Sequence, residues 1–388
     1  MVATLLKISV LARLLSPNDF GLFSLIMIAF GIVEAVTQTG VNLTIINSER
    51  KVQYFLNSAW VIAIIRGFIM GIIMLILGVL MTNYYHEPQL SFLVAVTALV
   101  PVIKGFINPY IVIMQKEFRF FKDSLYRFSL VAVDVLLAII FGLMLQSVMA
   151  MVLALIGAAI FEVIISFVFF KERPAFQYIH SRGRVILNNA KGLSVSAALS
   201  YVHENIDDLI IGKLAGTYNL GLYHNGYSLA HKTNYELSKA VQHTTLPVFS
   251  KIKNDGERLR KAFIKTSVGA LFYVLVASVP LLLFPEQIVD IILGDQWLAV
   301  VPMLPWLVGA GLIHSFNNTA YNLFYAKERF VIINMHLFLT IALLVLLLLY
   351  LTTTAGIYGA AMAIFYSRLL TLPFILVAIV KSLREPQR

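Results

Sequence analysis

The sequence predicts an all-α polytopic membrane protein, with about 12 transmembrane helices in two six-helix bundles related by a pseudo-two-fold axis along the membrane normal. Three observations predict it: an apolar composition, apolar stretches of bilayer length, and basic residues gathered in alternate loops.

Of the 388 residues, 59% are hydrophobic and 13% charged, and the mean hydropathy is +0.84. A water-soluble domain with this composition would leave much of its apolar surface in water. The net charge of +10 does not indicate a nucleic-acid binder, because the charges sit in short clusters between long apolar runs. The absence of cysteine excludes disulfides and thiolate metal sites. Met1–Leu15 lacks a small-residue cleavage site, so no cleavable signal peptide is expected.

A helix rising 1.5 Å per residue needs about 20 apolar residues to cross a bilayer core. Such stretches lie near 20–46, 55–81, 90–114, 127–147 and 149–170, then near 190–212, 219–249, 262–284, 298–325, 330–352 and 355–380. Val2–Leu15 precedes them as a first span too short to cross unaided. Counting it, alternate loops carry most of the basic residues: Arg50 and Lys51, then Lys116–Arg127, Lys171–Lys191, Lys251–Lys265, Lys327 and Arg329, and Lys381–Arg388. The opposite loops hold Arg13 and Lys213, and 285–297 is acidic through Glu286, Asp290 and Asp295. Because Lys and Arg resist translocation, both termini are expected on the cytoplasmic side of the cell inner membrane. The longest loop, 171–189, is expected to link a first bundle over 1–170, its first helix incomplete, to a second over 190–388.

Arg13-Leu14…Gly21-Leu22-Phe23 is echoed 200 residues later by Lys213-Leu214…Gly221-Leu222-Tyr223. An even number of spans per half gives two bundles of the same orientation.

Ionisable groups inside spans cost about 2.5–3.5 kcal/mol each at the bilayer centre. They must pair with one another or line a water-filled cavity. On the eighth span Asn225, Lys232, Glu236, Lys239 and His243 share one helical face. On the seventh, Ser200, Glu204 and Asp208 recur every four residues beside Asp207; on the second, Glu34, Gln38 and Asn42 do so. These stripes are candidate cavity walls. Lys232 and Glu236 could equally neutralise each other as an i,i+4 pair. Arg66, Lys104, Asp134, Glu162 and Arg368 stand one per helix, where structural pairing or snorkelling competes with function. Lys7 and Asp207 are equivalent under the 200-residue offset, which is expected either of opposed groups on related helices or of coincidence. Glu204, Asp207 and Asp208 are candidates for proton or sodium coupling. There is no zinc-protease motif, phosphate loop or nucleophile elbow. Asp207-Asp208 sits in a span without a globular domain, so no metal, no cofactor and no catalytic residue is expected.

Several stretches resemble a known family. Leu11-Ala-Arg-Leu-Leu-Ser-Pro-Asn-Asp-Phe-Gly-Leu22 resembles the opening motif of the polysaccharide flippases, the O-antigen and exopolysaccharide branch of the multidrug/oligosaccharidyl-lipid/polysaccharide exporter superfamily. Met114–Asp123 is similar to that family's basic loop between helices four and five. Asn205–Gly216 with Leu220–Tyr223 is similar to its seventh-to-eighth helix signature, and Gly294–Leu298 to its turn before helix ten. The resemblance implies a V-shaped pair of bundles whose helices one, two, seven and eight line a central cavity. Its cargo would be a polyprenyl-pyrophosphate-linked sugar unit for lipopolysaccharide or other polysaccharide biosynthesis, whose anionic head suits Lys7, Lys232 and Lys239. Against the family pattern the chain is short at both ends. A drug or small-cation antiporter of the same superfamily would prefer an acidic cavity, which Glu34, Glu204, Asp207 and Asp208 could supply. A membrane polymerase or ligase would need a large catalytic outer loop, which is lacking here.

Overall fold

The computed structural model describes residues 2–384, with backbone alone for Val2, Leu43, 188–196 and 232–243. Every regular element among these residues is helical. Helix α1 (Val2–Leu14) stops where Pro17 removes a backbone donor, and α2 (Pro17–Val36) restarts on a capping box. Ser16 Oγ accepts from the Asp19 amide at 3.3 Å, and Asp19 Oδ2 accepts from the Ser16 amide at 3.0 Å. The other Asp19 oxygen accepts from the Val148 amide at 2.9 Å, at the start of a later helix. The Ser-Pro-Asn-Asp run is therefore a local helix start and a long-range tie at once.

Helix α2 ends at Val36, and Gly40, at φ 62°, begins the short α3 (Val41–Asn47). The single span expected over 20–46 is thus interrupted. Helix α4 (Val52–Tyr85) is long and ends at left-handed His86. It packs closely on α5 (Gln89–Thr97) and α6 (Leu99–Lys104) through small residues. A Cβ added at Gly67 would lie 2.4 Å from the Pro101 carbonyl oxygen, and one at Gly71 would lie 3.0 Å from Val102. A bend of 71° separates α5 and α6 from the 3₁₀ turn Pro109–Val112 and α7 (Ile113–Lys116). Lys116 Nζ there donates to the carbonyls of Ile45, Ser48 and Arg50, closing the open end of α3. Helices α8 (Phe120–Leu145) and α9 (Val148–Phe169) follow, separated by left-handed Gln146.

The segment expected as a linker, 171–189, is helical from His180 onward, as the start of α10 (His180–Lys251). Its non-helical part is fastened to α4. Asn57 Oδ1 accepts from the Ala175 amide at 2.9 Å, Ser58 Oγ accepts from the Ile179 amide at 3.1 Å, and Arg182 lies 4.2 Å over the Tyr54 ring. Gly216, at φ 81° and ψ 170°, breaks α10 into 180–215 and 217–251. Then come α11 (Gly256–Leu283), α12 (Pro285–Ile292), a 3₁₀ stretch Asp295–Met303, α13 (Leu304–Ala326) and α14 (Phe330–Arg384), the last broken at Ala355 and Gly356.

The chain divides into two compact units, Met1–Leu209 and Ile210–Arg388, with the boundary inside α10. A core in the first gathers Phe55, Tyr110, Met114, Tyr126 and Ile186. One in the second gathers Phe249, Phe263, Phe324, Ile375 and Ile379. Seven helices among the described residues are long and apolar enough to cross a membrane, or eight if the bent pair is one span. Ile65, Phe68, Ile72, Ile76 and Leu80 of α4 are all exposed. Water would not tolerate so long an apolar row, and hydrocarbon would. The protein is a multi-pass membrane protein.

Candidate functional site

Three cations of the first unit that fall within expected spans find protein partners. Lys7 Nζ lies 2.8 Å from Asp134 Oδ2, joining α1 to α8. Lys104 lies 3.2 Å from Glu162, joining α6 to α9. Arg66 donates to the Glu34 carbonyl at 3.0 Å and to Thr37 Oγ1 at 3.3 Å, where α2 ends and its carbonyls lack helical partners. Pairing of this kind offsets the cost of placing each charge in hydrocarbon. The ion pair of Lys7 is made with Asp134, a residue 127 positions away.

The stripe expected on the second span does not run on one helix. Glu34, Gln38 and Asn42 are all exposed, but α2 has ended at Val36 before Gln38 is reached. Asn42 belongs to α3, beyond the left-handed Gly40. Spacing by four gives a common face only while the helix continues, and the glycine turn ends it.

The boundary between the units cuts the seventh span expected over 190–212, and its residues as far as Leu209 belong to the first unit. Tyr201 Oη donates to the Met27 carbonyl at 3.0 Å, and its ring lies over Gly31, where an added Cβ would fall 2.1 Å from the ring. Ser24 Oγ donates to Asp208 Oδ2 at 3.2 Å, and Tyr85 Oη donates to the Leu209 carbonyl at 3.2 Å. Asp208 is buried, Asp207 half-buried, and Ser200 and Glu204 exposed. The three candidate coupling carboxylates thus occupy three environments despite their closeness in sequence. No group of metal-ligand type occurs among the described residues.

In 217–251, Asn225 is buried and its Nδ2 has no hydrogen-bond partner among the described residues. The side chains of Lys232, Glu236, Lys239 and His243 lie outside the described residues, although their backbone is helical. One turn before Lys232 is a cluster that sequence reasoning missed. Arg368 Nη1 meets His231 Nε2 at 3.0 Å and donates to the Ala310 carbonyl at 2.9 Å. Arg368 Nη2 donates to Tyr227 Oη at 3.4 Å. The Tyr227 and His231 rings stack at 4.0 Å with an interplanar angle of 10°. The i,i+4 spacing of Tyr227 and His231 was visible in the sequence; the arginine 137 residues away was not.

A family model described as "Polysaccharide biosynthesis protein" matches residues 10–302. An uncharacterized membrane protein in the cps region of Klebsiella pneumoniae is 26% identical over 367 residues, 93% of this chain and 75% of that protein. The lipopolysaccharide biosynthesis protein WzxC of Escherichia coli (strain K12) is 22% identical over 329 residues, 84% of this chain and 66% of WzxC. The chain therefore spans about two thirds to three quarters of the length of these relatives. Among solved structures, the lipid II flippase MurJ in an inward closed conformation matches with a TM-score of 0.71 and 15% identity, over 98% of this chain and 87% of MurJ. An inward-facing multidrug resistance MATE family transporter of the MOP superfamily matches with a TM-score of 0.68 and 16% identity, over 98% and 93% of the two chains. At these identities the solved structures establish the fold.

Proposed function

We propose that this chain, which belongs to the polysaccharide biosynthesis protein family, carries a lipid-linked oligosaccharide across the cytoplasmic membrane by alternating access. The observation that carries the reading is where the protein has room to act. Its longest non-helical connector among the described residues is 170–179, and this is pinned to α4. The described residues of this member of a polysaccharide biosynthesis family are almost all helical, seven of their helices are long and apolar enough to cross a membrane, and they would meet their sugar within the bilayer. A polyprenyl pyrophosphate carrier would bring the sugar there, and its charged head demands polar groups inside spans. Lys7, Glu34, Gln38, Asn42, Asn225, Lys232, Glu236 and Lys239 are proposed to contribute them, with Lys7 acting from its pair with Asp134.

Twelve spans in two six-helix bundles form part of the proposal. Corresponding backbone breaks support it. Ser16 and Gly216, 200 residues apart, separate the first two spans of each half. Phe118 and Glu328 are both left-handed, and each is followed by an arginine whose amide reaches back to the preceding helix: Arg119 to Met114 at 2.7 Å, Arg329 to Phe324 at 2.8 Å. Gln146 and Gly356 are left-handed as well. The last two pairs share an offset of 210. The chain has no cysteine, so single cysteines report topology without background. Those at Gln89 and Thr353 are expected to label from outside intact cells, and those at Asp123 and Gly256 only after permeabilisation. External labelling at Asp123 would overturn the twelve-span arrangement.

The function itself is tested with the purified full chain in vesicles holding a fluorescent polyprenyl-pyrophosphate sugar. Loss of inner-leaflet fluorescence to an external quencher, faster than in protein-free vesicles, is the expected result. The second reading, an ion-coupled small-molecule antiporter, rests on buried Asp208 and on the fold shared with the MATE transporter. Efflux of an organic cation by vesicles that do not move the sugar lipid would favour it.

A further inference from the structure

We infer that Arg368 is the anion-binding group of the second unit and takes a phosphate or pyrophosphate ester; that the ester belongs to a lipid-linked sugar rests on the function proposed above. In the first unit Lys7 and Lys104 are answered by carboxylates. Arg368 is held differently. Its three contacts, His231 Nε2, Ala310 O and Tyr227 Oη, are all neutral acceptors. The ion pairs among the described residues of this unit, Lys253–Glu328 and Lys261–Glu257, lie near the connectors. A guanidinium does not give up its proton in a protein. Among the described residues Arg368 therefore carries a full charge with no carboxylate against it.

Its position excludes an easy escape to water. Arg368 lies twelve residues beyond the Gly356 break and sixteen before Arg384, about 18 and 24 Å along a helix. Either distance exceeds the reach of an arginine stem, so snorkelling does not explain it. The group is also held for binding. Because Arg368 can only donate, His231 Nε2 must accept, which fixes a neutral ring with its proton on Nδ1. That ring is stacked on Tyr227, so both acceptors behind the guanidinium are rigid. The three contacts use three of the five guanidinium donors and leave Nε–H and one Nη2–H. Those two donors form the edge that grips phosphate oxygens in a fork. The side chain is half-buried rather than sealed, so a ligand can approach it.

A purely structural strut between α10, α13 and α14 would use the same contacts. The difference is selectivity for charge. In phosphatidylcholine nanodiscs the full chain is expected to bind farnesyl pyrophosphate more tightly than farnesol. Arg368→Cys is expected to lose about 10- to 100-fold for the pyrophosphate, the worth of one or two charged hydrogen bonds, with farnesol unchanged. Treating that cysteine with 2-aminoethyl methanethiosulfonate, which forms a mixed disulfide and releases methanesulfinate, restores a cation and should restore part of the affinity; the anionic sulfonatoethyl reagent should not. Arg368→Lys keeps the charge without the fork and should lose less than Arg368→Cys, which keeps the test available if the cysteine variant does not fold. Competition by inorganic pyrophosphate, or by phosphatidylglycerol added to the nanodiscs, shows whether a free phosphate or a bilayer headgroup also fills the site. Wild-type affinity in Arg368→Cys or in Arg368→Lys, a thiol that resists both reagents, or equal effects of the two reagents would overturn the inference. Sugar-lipid transport with unchanged pyrophosphate binding in the variants removes this site alone. Pyrophosphate-selective binding lost in the variants, without transport by the wild type, keeps the site and removes the cargo.

Discussion

Replacing Lys232 and Lys239 together with glutamine is expected to abolish complementation of a flippase-null strain while the protein still reaches the membrane. Seven residues at about 100° each return to within about 20° of the starting direction, so positions 232 and 239 share one face of 217–251. A pyrophosphate held between them would lose two charge-assisted contacts of about 1.5–3 kcal/mol each. Together that amounts to at least a hundredfold in binding. Glutamine keeps a polar hydrogen-bonding group at each position and removes its charge. Arg66→Gln is expected to cost less, because Arg66 already serves the open carbonyls at the end of α2. Membrane fractionation and surface polysaccharide, scored in the same cells, separate failure to insert from failure to transport. Full complementation by the double variant would remove the cationic-cavity argument.

The second large effect is expected at Asp208. Its carboxylate is buried and accepts from Ser24 Oγ at 3.2 Å. An asparagine can still accept that hydroxyl through its amide oxygen, so Asp208→Asn removes charge with little change of shape. If this carboxylate exchanges a proton or sodium ion during the cycle, the variant should bind cargo normally and fail to move it uphill. Wild-type vesicles then lose transport on adding a protonophore, or on removing the sodium gradient, according to the ion. If Asp208 is only structural, Ser24→Ala and Asp208→Asn should both lower the yield of folded protein and leave gradient dependence intact. A double Asp207→Asn, Asp208→Asn variant with wild-type, gradient-dependent transport would end the coupling idea.

Much of the architecture was legible because membrane insertion is governed by local composition. Each span must satisfy its own backbone hydrogen bonds in hydrocarbon, so a run of apolar residues already implies a helix. Helix starts and breaks were readable where a residue type has one conformational use: Pro17 behind Ser16, and Gly294, at φ 103°, ahead of the 3₁₀ stretch. The stripe through Glu34, Gln38 and Asn42 failed for the same reason. Gly40 was present in the sequence, but periodicity counted across it as though the helix ran on.

Partner choice was not legible. That ionisable groups inside spans must find partners or water follows from the cost of charge in hydrocarbon, and the sequence alone establishes it. It also establishes the membrane class. Only the folded chain decides that Lys7 meets Asp134, that Ser24 meets Asp208, and that Arg368 meets His231 across 137 residues. These pairs join helices whose facing sides depend on how far each is rotated about its own axis. That rotation is set by close packing, as where the ring of Tyr201 covers Gly31 and the backbone of α6 reaches Gly67. Local spacing carries no record of it, because a helix presents the same face-to-face periodicity whatever neighbour it finally meets.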